Sequence, residues 1–90
     1  MFYAADQKTA ERVIADLRGA RLDDPTAALV RLQRIRTELA SERADDLLRT
    51  QAWSAIRRLY DAYKVAPDRD LKPLWQDAIA RTSAWRESLR

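Results

Sequence analysis

Apolar residues in this chain recur three and four positions apart in four separate stretches. An interval averaging about 3.6 is the period of an α-helix buried along one side. That pattern predicts an all-α protein, and the residues between the stretches predict where each helix starts and stops.

The first periodic segment runs from about Asp6 to Arg18, with Ala10, Val13, Ile14 and Leu17 on one face. Asp6 has the chemistry of an N-cap, and Gly19 stands where a left-handed C-terminal residue would end the helix. Phe2 and Tyr3 either fold back on the core or extend this helix by a turn. Asp24-Pro25 is the clearest start signal, because Asp accepts free backbone N–H groups and Pro at the first helical position gives up none that the helix needs. From there Ala28, Leu32, Ile35 and Leu39 form a seam suited to a bundle.

The stretch Ser41-Glu42-Arg43-Ala44-Asp45-Asp46 interrupts that seam. The next face is Leu48, Ala52, Ala55, Ile56, Leu59 and Tyr63. Leu39 and Leu48 are nine residues apart, which at about 100° per residue puts the two faces on opposite sides of a continuous helix. A turn near Glu42 to Asp45 is therefore expected, with Asp45 or Asp46 capping a third helix. The alternative is a three-helix arrangement with one long helix spanning about 25–64. The third helix ends before Pro67, since the residue preceding a proline is pushed out of helical geometry. Asp68 and Asp70 announce a fourth, in which Pro73 fits only the first turn. Its seam is Leu71, Trp75, Ala78, Thr82, Trp85 and Leu89.

Four amphipathic segments with short joints predict a small four-helix up-down bundle. Ninety residues make one domain, 1–90. The stretch Ala62 to Asp68 has no second copy at the ~34-residue period of helical repeats, so no repeat array is expected. A chain of this length buries only roughly 60–70% of its unfolded surface, so pairing with a second copy would add stability.

Composition narrows the function classes. There is no Cys and no His, which removes thiol chemistry, the commonest general base and the commonest metal ligand. No phosphate-cradling glycine loop, dinucleotide fingerprint, nucleophile elbow or metal-ligand spacing occurs. No enzyme, cofactor or metal site is expected. No apolar run approaches the ~18 residues of a membrane span. The N-terminus lacks the basic region and apolar stretch of a signal peptide, which suits a cytoplasmic protein. The Ala/Arg/Asp-rich composition would fit a small bacterial accessory or inhibitory protein.

The acidic residues are nearly all assigned by position. Seven of the ten Asp lie at or just before expected helix starts, where the helix dipole favours a carboxylate. The other three, Asp16, Asp61 and Asp77, lie four residues from Arg12, Arg57 and Arg81. Glu38 has the same spacing from Arg34, and Glu87 lies three from Arg90. Such helix-surface pairs are worth about 0.2–0.5 kcal/mol each.

The basic residues are less fully accounted for. Lys and Arg number 17 against 14 Asp and Glu, a net +3. Arg31, Arg36 and Arg86 have no carboxylate three or four residues away. Arg36 flanks the Leu32/Leu39 seam, whereas Arg34 points nearly opposite, so the run Arg31 to Arg36 is spread around its helix. A groove-reading helix would gather those contacts on one side.

On the third segment Arg49, Trp53, Arg57, Tyr60 and Lys64 follow one another at spacings of four, four, three and four. Cations and rings at these intervals stack as cation–π pairs, and such side chains are the stuff of interface hot spots. The bland reading is that Trp53 and Tyr60 only widen the core face. Trp75 and Trp85 fall on their own seam and read as core. The expectation is a non-catalytic protein-binding module, or a homodimer, gripping an acidic patch through Arg49, Trp53, Arg57, Tyr60 and Lys64, bordered by Arg31 and Arg36. The alternative is a nucleic-acid-binding helical protein, for which fourteen arginines argue and ten scattered aspartates argue against.

Overall fold

A computed structural model describes residues 2–19, 24–39, 47–66 and 70–89, with side chains from Asp6 onward. It contains four helices and, among the described residues, no strand: α1 (Phe2–Arg18), α2 (Pro25–Leu39), α3 (Leu47–Val65) and α4 (Lys72–Ser88). Among the described residues, the helix pairs whose backbones run close together are α1–α2, α2–α3, α3–α4 and α4–α1. This is a four-helix bundle, 41 Å long and about 20 Å across. The expected turn at Glu42 to Asp45, and the caps at Asp45, Asp46 and Asp68, lie outside the described residues.

A single long helix over 25–64 is excluded. Arg36 lies over the Tyr60 ring, 4.5 Å from its centroid. In one straight helix those residues would be about 36 Å apart. α2 and α3 are thus two separate helices packed against each other, which brings their opposed apolar faces into one core.

The four seams meet in one core. Val13 and Leu17 of α1, Leu32 and Ile35 of α2, Ile56 and Leu59 of α3, and Trp75, Ala78 and Trp85 of α4 are buried in a common cluster. Burial of this apolar surface, at roughly 25 cal/mol per Å², drives assembly. Two polar groups enter the core with partners. Trp75 Nε1 donates to the Tyr63 hydroxyl at 2.7 Å, and the rings meet edge to face with centroids 6.0 Å apart. Thr82 donates its hydroxyl to the Ala78 carbonyl one turn back, at 2.8 Å.

The helix ends partly follow the expectations. Asp24 caps α2, its carboxylate accepting from Ala27 N–H at 3.1 Å. Asp70 accepts from the Lys72 N–H, the first residue of α4, at 3.1 Å, and Pro73 sits in the first turn. Asp6 does not cap α1. The helix extends through Phe2 and Tyr3, which leaves Asp6 inside it. Gly19 is not left-handed either. Its N–H continues the helical pattern to the Ala15 carbonyl at 2.9 Å.

What Gly19 supplies is room. A Cβ there would stand 3.1 Å from Arg31 Nη1, and that same nitrogen donates to the Asp16 carbonyl at 3.2 Å. An arginine of α2 thus satisfies one of the carbonyls left open at the end of α1.

Two expected ion pairs exchange partners. Arg12 and Asp16, and Arg34 and Glu38, have the right spacing within their helices, yet Arg34 pairs with Asp16 at 3.3 Å and Arg12 with Glu38 at 3.6 Å. Antiparallel packing of α1 on α2 sets both pairs side by side, so each arginine reaches across the helix boundary. Arg57–Asp61 at 3.9 Å and Arg81–Asp77 at 3.1 Å keep the expected spacing. Glu87 pairs with Arg86 at 3.5 Å, while the expected partner Arg90 lies outside the described residues.

Candidate functional site: the aromatic and cationic face of α2 and α3

Five cation and ring positions on α3 share one stripe by sequence, and the bundle divides them. Arg49 is buried, 6% exposed, with its guanidinium 5.6 Å from the centroid of the Trp85 ring on α4. It belongs to the α3–α4 packing and is not on the open face. Arg81, one turn before Trp85, pairs with Asp77 as its spacing predicts.

The other four positions of the stripe stay together. Trp53 and Tyr60 are half-buried and pack one side against the core cluster. Their other sides carry cations. The Arg57 guanidinium sits 5.5 Å from the Trp53 centroid. Tyr60 is contacted by two, Arg36 of α2 at 4.5 Å and Lys64 at 5.6 Å. The rings therefore widen the core face on one side and stay partly exposed beneath their cations on the other.

Stacking restricts long, flexible side chains. A guanidinium resting on a ring samples fewer rotamers, so less entropy is lost when it binds a carboxylate. Arg36 is held further by its Nη1 donating to the Gln33 side-chain oxygen at 3.2 Å.

Two shallow depressions flank Trp53. One, toward α2, is lined by Gln33, Arg36, Thr37 and Trp53. The other, on the outer side of α3, is lined by Trp53, Ser54, Arg57, Arg58 and Asp61. Trp53 is the wall common to both. Among the described residues, Trp53 Nε1 and Arg36 Nε are covered donors with no hydrogen-bond acceptor. An unsatisfied buried donor carries a desolvation cost, and here two lie on the same side of the bundle.

Arg31, expected to border this face, is committed to the end of α1. Arg58, which the sequence spacing did not select, lines the outer depression beside Arg57. Its signal was the Arg57-Arg58 pair itself, since adjacent helix residues point about 100° apart and so span a broad cationic arc. Chemically the face offers guanidinium and ammonium groups on apolar rings. Among the described residues, no three carboxylates come together as a metal cage. Comparison of the chain with protein-family models, curated proteins and solved structures gives no match.

Proposed function

We propose that the chain is a non-catalytic protein-interaction module that docks a partner protein on the α2–α3 face, through Trp53, Arg57, Tyr60 and Lys64 of α3 and Arg36 of α2. The observation that carries this reading is the stacking of three cations on two half-open rings. Interfaces draw their affinity from a few rigid aromatic and arginine side chains surrounded by less important contacts. The acidic residues support the non-catalytic part, because they are engaged in the bundle itself. Asp24 and Asp70 hold helix starts, and Asp16, Glu38 and Asp77 hold arginines. No helix among the described residues is long and apolar enough to cross a membrane.

The test places a photo-crosslinking phenylalanine analogue at Tyr60, and in a control at Ala80 on the exposed side of α4. A protein captured from Tyr60 and not from Ala80 is purified and its affinity measured directly. The proposal expects that Trp53→Ala with Tyr60→Ala weakens this complex by about tenfold or more, as loss of hot-spot rings does, while helical circular dichroism is kept. Binding unaffected by the double substitution contradicts it. So does a double variant that has lost its helices, because the rings then belong to the core alone.

A further inference from the structure

Resting on the docking reading above, we infer that the occupant of this face is an acidic protein segment lying across Trp53, with its carboxylates held by Arg36 on one side and by Arg57 and Arg58 on the other. Three guanidinium groups flank one indole, and they belong to two depressions that share that indole as a wall. Arginine meets a carboxylate through two parallel N–H donors. Arg58 has no carboxylate partner among the described residues, and Arg57 holds Asp61 only at 3.9 Å, with both side chains more than half exposed. An incoming carboxylate competes readily with such a solvated pair.

Charge argues against the other occupants. A second copy docked by two-fold symmetry on this face would set its own Arg36, Arg57 and Arg58 against the same three groups, and like charges in register repel. A nucleic-acid backbone presents one negative charge per ~1.7 Å of duplex, and such a continuous line would run against Asp61, which lines the outer depression. A segment with spaced carboxylates and apolar groups between them avoids Asp61 and covers the indole.

The experiment titrates the full chain with a synthetic peptide of glutamates spaced by leucines and alanines and follows tryptophan emission. Trp75 and Trp85 are buried, 2% and 0% exposed, so the change in emission comes from Trp53 and is absent in Trp53→Phe. Arg36→Gln with Arg58→Gln weakens binding by about tenfold or more, whereas Lys8→Gln with Lys72→Gln removes the same net charge from other exposed sites and leaves affinity unchanged. Equal weakening by both pairs means unspecific attraction and overturns the inference. Tighter binding of an oligothymidylate than of this peptide overturns it in favour of nucleic acid. A doubling of solution mass that Trp53→Ala with Tyr60→Ala abolishes keeps the docking face but overturns the acidic occupant in favour of a second copy.

Discussion

Tyr63 determines whether Trp75 can be buried at low cost. An indole N–H in the core needs an acceptor, and the Tyr63 hydroxyl supplies one at 2.7 Å. Tyr63→Phe keeps the ring and removes the hydroxyl that accepts from Trp75. Urea unfolding is expected to show a loss of about 1–3 kcal/mol, the cost of a buried donor left unmade; an unchanged midpoint would show that Trp75 finds another acceptor. The burial of Trp75 and Trp85 was legible in their four-and-three spacing, because period alone identifies the side of a helix that faces its neighbours. Arg49 was not legible, since it shares a stripe with Trp53 and its burial comes from Trp85, thirty-six positions further on. Trp53 and Tyr60 sit at the edge of the seam. Their exposure depends on how closely α2 approaches, which spacing on α3 does not encode.

At the scale of the helices, start signals were easier to read than stop signals. Asp24-Pro25 and Asp70 act within their own short stretch: Asp24 caps α2, and Asp70 accepts from the first N–H of α4 although Leu71 holds the N-cap position. Gly19 was misread because its purpose lies on another helix: it gives the Arg31 side chain a path to the Asp16 carbonyl. The exchanged ion pairs have the same origin. Double-mutant cycles measured by thermal or urea unfolding are expected to give Arg34 and Asp16 a coupling of about 0.2–1 kcal/mol, the range for exposed pairs. The cycle for Arg12 and Asp16, which have the better sequence spacing, should give a coupling near zero. A reversed order would mean that the intrahelical pairs persist in solution and that α1 and α2 pack without them.

For the whole molecule, the bundle and its four segments followed from periodicity and punctuation, and the choice between a turn and one long helix was settled by the packing of α2 on α3. The candidate surface emerges only at this scale, where Arg36 from one helix reaches a ring of the next. We propose a division of labour in which carboxylates and the buried arginine serve the architecture while Arg36, Arg57 and Arg58 serve a partner. The most direct measurement is the urea unfolding free energy of the triple substitution Arg36→Gln, Arg57→Gln and Arg58→Gln. Two cation–π contacts at about 0.5–1 kcal/mol each and one exposed ion pair of at most about 1 kcal/mol limit the expected loss to about 3 kcal/mol, with helical content unchanged. A loss of about 4 kcal/mol or more, on the scale of a core truncation, would mean that these arginines hold the bundle together and are not spare for binding.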